Sequence, residues 1–246
     1  MNEGRQLKNE LRKLQDTYIP NADIQLHIAP ISIGMLVGPS CTGKSSIIDK
    51  AISANPNFSN PGGFTDREDD RPGDIKRYRH LQPTAHTWRG LLRAVQAGDP
   101  VQYNVYDTGD IYGSEVQDYT TPFSILDTQY SAVKNLQRAG FKKAIPIGVV
   151  CAPTQYDARL FERFQGDLSA PKTRKRLSEG QDSMEWLLDN RQDVAWIVNK
   201  TGRLQQAANE VIEIVAAGEF ETSLSVISIG ERLYKHLRAI NLNLAV

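Results

Sequence analysis

At 246 residues and 40% hydrophobic, the chain is long enough to bury a full core, and its composition argues against disorder along its whole length. Twenty-nine Lys and Arg balance 29 Asp and Glu, so no net field draws it onto nucleic acid or an anionic membrane, and any anion must be met by a local cluster. Cys41 and Cys151 are too few for a disulfide framework or a metal site, and His27, His80, His86 and His236 lack ligand spacing. Apolar runs such as residues 144–152 are too short to span a bilayer, and the polar start (Asn2, Glu3, Arg5, Lys8) is unlike a signal peptide. The expectation is a cytoplasmic protein with reduced thiols and neither a nucleic-acid nor a membrane partner.

Leu7, Leu11, Leu14 and Tyr18 recur at helical spacing and predict an amphipathic first helix that ends before Pro20, an appendage to the main domain. Residues 31–37 read as a buried strand and 45–54 as the helix after a glycine-bearing loop. A charged loop over 58–81 follows, then a helix through Leu91, Leu92 and Val95 that stops at Gly98. Residues 101–106 alternate like an exposed strand, with Asp107, Gly109 and Asp110 in the turn after it. Further core strands are expected at 123–126 and 143–151, with a helix at 131–139 between them. Helices at 156–164, 173–190 and 204–217 surround one more strand at 194–198. This alternation is what a parallel sheet with crossover helices produces. Over 224–240, Leu233, Leu237 and Ile240 share one stripe, which suits a packing or homodimerising helix.

Gly38-Pro39-Ser40-Cys41-Thr42-Gly43-Lys44-Ser45 fits the pattern G-x-x-x-x-G-K-[ST] between a predicted strand and a predicted helix, the context that motif requires. Backbone N–H groups wrap a phosphate only where no side chain blocks approach, which Gly38 and Gly43 allow. Lys44 then brings positive charge to the β- and γ-phosphates, and the Ser45 hydroxyl is placed to ligate Mg²⁺. ATP with Mg²⁺ is therefore the expected co-substrate. Cys41 stands where a compact residue is wanted.

With Ser46 added, this loop resembles the guanylate-kinase phosphate loop G-P-S-G-x-G-K-S-T, Cys41 replacing a glycine and Ser46 the threonine. Later segments follow that family's order over about residues 31–217. Thr65-Asp66-Arg67 and Arg71-Pro72-Gly73-Asp74, followed by Tyr78, resemble its T-T-R-x-P-R-P-G-E and downstream Tyr. Ile111-Tyr112-Gly113-Ser114 resembles its Y-Y-G-[ST], and Ile125-Leu126-Asp127 its strand ending in Asp. Ala152-Pro153-Thr154 with residues 160–166 resembles the approach to its lid, Arg176-Leu177-Ser178 the return, and Trp196-Ile197-Val198-Asn199 its late strand.

The resemblance implies an α/β, three-layer P-loop nucleoside monophosphate kinase fold with a parallel core sheet. Within a domain over 31–217 it implies a small strand-rich acceptor subdomain at 58–118 and a lid at 166–176, flanked by helical extensions at 1–30 and 218–246. It implies ATP-dependent phosphoryl transfer to a small-molecule acceptor, first GMP or dGMP. Arg67, Arg71, Tyr78, Tyr112 and Ser114 would hold that acceptor, Lys44, Arg163, Arg174 and Arg176 would serve catalysis, and Asn199 would meet adenine. Asp127 would serve as a Mg²⁺-water ligand or acceptor-site carboxylate. Three departures bear on the acceptor: Tyr103 stands where the family reads guanine with Glu and Gln129 where it carries a second Asp, both expected at the acceptor, and Gly63 stands where it has a phosphate-binding Ser. Two other readings therefore stay open. One is a related phosphotransferase acting on another nucleotide or a sugar phosphate such as ribose 1,5-bisphosphate. The other is a non-catalytic module that binds phosphorylated protein segments.

Overall fold

The computed structural model describes residues 3–67, 78–106 and 109–244. Its elements, in chain order, are α1 (Glu3–Gln15), α2 (Ala22–Ile28), β1 (Ser32–Val37), α3 (Lys44–Ala54), β2 (Phe58–Ser59), β3 (Phe64–Thr65), β4 (Arg79–His80), α4 (Ala85–Ala97), β5 (Gln102–Val105), β6 (Ile111–Ser114), a 3-10 turn (Val116–Asp118), β7 (Phe123–Asp127), α5 (Tyr130–Arg138), β8 (Lys143–Val150), α6 (Pro153–Phe164), α7 (Pro171–Asp189), β9 (Ala195–Val198), α8 (Leu204–Ala217) and α9 (Leu224–Leu244). Among the described residues, no helix is long and apolar enough to cross a membrane.

The chain is α/β, with a five-stranded parallel core sheet in the order β2-β7-β1-β8-β9 and a mixed four-stranded sheet in the order β4-β3-β6-β5. All six residues of β1 are buried, as expected of a central strand covered on both faces. The register of β8 on β9 runs from Ile147 opposite Ala195 to Val150 opposite Val198. Two glycines show how the helices settle on either side of this sheet. A Cβ on Gly34 would lie 2.4 Å from Val215 of α8 and 3.2 Å from Ile147, whereas a Cβ on Gly148, the next residue of β8, would lie 3.1 Å from Leu187 of α7. Successive strand residues face opposite ways, so α8 covers one face and α7 the other.

Two compact units result. One takes the described residues of Met1–Ile33 with Ser59–Ser124 and Ser131–Ala144, the other Gly34–Phe58, Ile125–Tyr130 and those of Ile145–Val246. In the first unit β3 pairs parallel with β4 and antiparallel with β6, and β6 pairs antiparallel with β5. Its core gathers Leu11, Tyr18, Phe64, Trp88, Val95, Tyr103, Val105 and Ile111. The first helix is thus no appendage, because Leu11 is fully buried there. Nor is β5 exposed, since all four of its residues are buried. Its polar residues are covered by pairing with one another: the Asn104 amide donates to Gln102 Oε1 at 3.0 Å and the Asn135 amide to Asn104 Oδ1 at 3.1 Å. Buried amides satisfied in this way lose little by leaving water.

Candidate functional site

In the second unit, β1 delivers the chain into the phosphate loop and α3 carries it away. Gly38 (φ +148°) lies so close to β8 that a Cβ there would be 2.6 Å from the Val149 carbonyl oxygen. Gly43 (φ +89°) precedes α3 without a side-chain cap, leaving the first-turn N–H groups of that helix without intrahelical acceptors. Lys44 folds over the loop, its Nζ donating to the carbonyls of Gly38 (2.8 Å) and Pro39 (3.0 Å) and lying 3.7 Å from Asp127 Oδ1. Ser45 Oγ donates to Asp127 Oδ2 at 3.3 Å. Four sequence-predicted features therefore meet: loop backbone, ammonium, hydroxyl and strand-end carboxylate. The hydroxyl and carboxylate are hard oxygen donors near enough to share one small divalent ion, which suits Mg²⁺. Ser40, within the loop, is partly exposed, and Ser46, just after it, is exposed.

Cys41 has φ +70°, a left-handed conformation that disfavours a side chain, which gives a physical reason for glycine in the resembling motif. Burial pushes its thiol pKa up, against opposing pulls led by Arg163 and followed by Lys44 and Arg159. Burial likewise raises the Cys151 thiol to about 11, so neither cysteine is an activated nucleophile. Arg163 thus reaches the phosphate loop, whereas Arg174 is exposed on α7 and Arg176 pairs with Glu179 at 2.9 Å on the same helix. Asp167 organises the turn before α7: its Oδ1 accepts from Ser169 N–H and hydroxyl and from Ala170 N–H, and these bonds lower its pKa, the Ser169 side chain foremost.

Asn199 does not face outward to meet a base. It is buried, its amide donates to the Thr42 carbonyl at 2.8 Å, and a Cβ on Gly43 would lie 2.2 Å from its Nδ2. It braces the loop. Arg159, which sequence reasoning passed over, completes that brace with Nη1 3.2 Å from the Thr42 carbonyl oxygen and Nη2 3.0 Å from that of Asn199. The available signal was its place one residue before Leu160 in the lid approach.

In the first unit, Arg67 lies with its guanidinium carbon 6.0 Å from the Tyr112 ring centroid, and Tyr112 contacts Tyr78 edge-on (5.4 Å) and Tyr106 at a tilt (5.2 Å). The structure thus brings together Arg67, Tyr78 and Tyr112. His80 Nδ1 lies 3.0 Å from the Arg67 carbonyl oxygen, and Arg67 N–H donates to Thr65 Oγ1 at 3.1 Å. Arg71 and Asp107 lie outside the described residues. Tyr103 is a correction: it is fully buried, its hydroxyl donates to the Leu11 carbonyl at 2.9 Å and its ring stacks edge-on against Tyr18 at 5.0 Å. No face of it is left for a ligand. Ser114 is also enclosed, sharing a 2.8 Å hydrogen bond with the Tyr119 hydroxyl. Gln129, in the second unit, is half-buried just after Asp127. Among the described residues no group of three or more His, Cys, Asp or Glu is assembled to hold a metal. No protein-family model matches the chain, and no curated protein matches it in sequence.

Proposed function

We propose that the chain is a cytosolic phosphotransferase of the P-loop nucleoside monophosphate kinase type, which moves the γ-phosphoryl group of ATP to a phosphorylated small molecule. The observation that carries this reading is the meeting of Lys44, Ser45 and Asp127 at the start of α3. Lys44, now on the Gly38 and Pro39 carbonyls, exchanges these for phosphate oxygens. Ser45 and Asp127 are the residues that would hold Mg²⁺, which neutralises phosphate charge when bound. Transfer between two phosphates demands positioning and charge neutralisation more than bond chemistry from the protein. Arg163 supplies a guanidinium beside the loop, and Arg174 and Arg176 supply two more on α7. Arg67, Tyr78 and Tyr112 are assigned to the acceptor's phosphate, where a guanidinium fork suits phosphate oxygens.

GMP or dGMP is the first acceptor to try, and the enclosure of Tyr103 and Ser114 favours a second reading in which the acceptor is another nucleotide or a sugar phosphate. A site with two carboxylates rejects bases that lack guanine's donors by about 10⁴ or more, and neither residue provides such a pair here. The test is ATP consumption with GMP, dGMP, AMP, IMP and ribose 1,5-bisphosphate, in wild type and Lys44→Ala. Acceptor-dependent turnover lost in the variant is the expected result, with GMP preferred over IMP by less than that ratio. Absence of turnover with every acceptor, together with phosphopeptide binding, would replace the kinase by a binding module.

A further inference from the structure

The stripe of α9 formed by Leu233, Leu237 and Ile240, suited by its spacing to packing or to a second copy, is spent inside the chain. Leu233 and Leu237 are fully buried. On the same side, a Cβ on Gly230 would lie 2.7 Å from Trp196 of β9 and 3.4 Å from Met184 of α7, and the Asn241 amide donates to Gln181 Oε1 of α7 at 2.8 Å. His236 Nε2 lies 2.6 Å from Asp157 Oδ1 and ties one flank of α9 to α6.

The opposite face of α9 is open. Leu224, Ser228, Glu231, Lys235, Arg238 and Leu242 are all exposed, and they recur in alternating steps of four and three, the spacing of a helix that meets a second helix. At 3.6 residues per turn the six lie within about 40° of one line along the helix. Both end positions are leucines, 81% and 62% exposed. A single exposed leucine needs no explanation, but the order of these six is complementary to itself. Turned end for end about Leu233, the stripe sets Leu224 opposite Leu242, Glu231 opposite Lys235 and Ser228 opposite Arg238. Its one acid thus meets a lysine, and no cation meets a cation. Self-matching of this kind is what a two-fold axis requires of a surface. Parallel packing would instead set Glu231 on Glu231 and Lys235 on Lys235. At the Leu224 end there is also an open cleft, lined among others by Arg191, Leu224, Ile227, Ser228 and Glu231, with room for an apolar side chain at the place where Leu242 of a second copy arrives.

We propose that a second copy of this chain docks on the exposed face of α9, the two helices running antiparallel about a two-fold axis at Leu233. Leu224 of each copy packs on the partner's Leu242, and Glu231 of each pairs with the partner's Lys235. Arg232 and Arg238 lie toward the edges of the contact, exposed to water. The face belongs to the stretch after residue 217, where the resemblance ends, so the resemblance does not supply it.

Sedimentation velocity on the full chain, from about 5 to about 200 μM, tests it. A monomer–dimer equilibrium with Kd on the order of 10–100 μM is expected, because one helix pair is a small interface and its central ion pairs are exposed. Leu242→Asp should stay monomeric over that range, and so should Lys235→Glu or Glu231→Lys alone, since each sets like charges face to face. The decisive samples restore the match: the double variant with Glu231→Lys and Lys235→Glu, and an equimolar mixture of the two single variants, should each dimerise to within about threefold of wild type. All these positions are exposed, and melting curves confirm that each variant is folded. Direction is read by cross-linking under mild oxidation. Leu224→Cys mixed with Leu242→Cys should give a disulfide-linked dimer, and neither variant alone should exceed the wild-type background from Cys41 and Cys151. The inference falls if wild type stays monomeric, if its dimer survives Leu242→Asp, if neither charge-restored sample associates, or if one cysteine variant links to itself as readily as the mixture does. None of these measurements involves ATP or an acceptor, so their outcome is independent of the kinase reading.

Discussion

The phosphate loop and the Arg67–Tyr112 patch would both meet phosphate, yet they are built from different materials. The loop consists of one contiguous stretch whose recognition groups are mainly backbone amides and the end of a helix, held from behind by Asn199 and Arg159. The patch consists of side chains from segments around Arg67, Tyr78, Tyr106 and Tyr112, and the hairpin beneath it is held by α1. Backbone geometry cannot be altered by one substitution without disturbing the turn itself. A side-chain patch can be retuned residue by residue. The triphosphate side is therefore expected to be unforgiving and the acceptor side adjustable.

The largest effect is expected at Lys44. Lys44→Ala should cut phosphoryl transfer about 10³-fold, about 4 kcal/mol of transition-state stabilisation, with thermal unfolding much less affected because the buried Pro39 carbonyl keeps the Thr42 hydroxyl as a donor. Steady-state rates beside a melting curve check it, and a rate near wild type would show that the ammonium plays no part. Next is Tyr103→Glu. Were this an acceptor-facing position, the change would sharpen selection of GMP. Set in the core on the Leu11 carbonyl, it should instead destabilise the chain by about 3 kcal/mol through an unpaired buried carboxylate and lost packing, measured by urea unfolding.

Asn199→Ala separates bracing from base recognition. Loss of its bond to Thr42 should weaken ATP and GTP equally, by about tenfold or about 1.4 kcal/mol, whereas an adenine contact would make the loss specific to ATP. The smallest effect is expected for Cys41→Gly. Relief of a left-handed side-chain conformation, offset by greater freedom of the unfolded chain, should leave a gain of about 0.5 kcal/mol by chemical denaturation.

The same contrast governs what could be read from the sequence. Helix α8 was legible to its ends because Ala207, Ala208, Val211 and Val215 form one buried stripe and Gly218 stops it in a left-handed conformation. α2 was not expected: seven residues give a periodic signal little room, and only Asn21, whose side chain accepts the Ile24 N–H, marks its start. β2, β3 and β4 are two residues each and carry no period at all. β5 misled because Gln102 and Asn104 look solvent-facing, while Asn135, the partner of Asn104, lies 31 residues further on. In the loop, spacing alone marked Lys44 and Ser45. The brace from Asn199 crosses 157 residues, and no local pattern announces such a contact. Tyr103 lies in a strand as its alternating segment suggests, yet it is buried rather than at an acceptor site, since a strand's period of two does not say which face meets a neighbouring helix.

Gly180 carries a mechanical consequence. A Cβ there would lie 3.2 Å from Pro39, so α7 rests on the phosphate loop at a point where it has no side chain of its own. From that fulcrum the helix runs nine residues back to Pro171, about 13 Å at 1.5 Å per residue, and carries Arg174 and Arg176 on the way. Tilting such a lever by about 10° would sweep its tip by about 2 Å, comparable to the difference between a direct phosphate contact and one bridged by water. A sub-ångström shift of Pro39 would thus be magnified at the basic end of α7, making the loop and the start of that helix two ends of one beam.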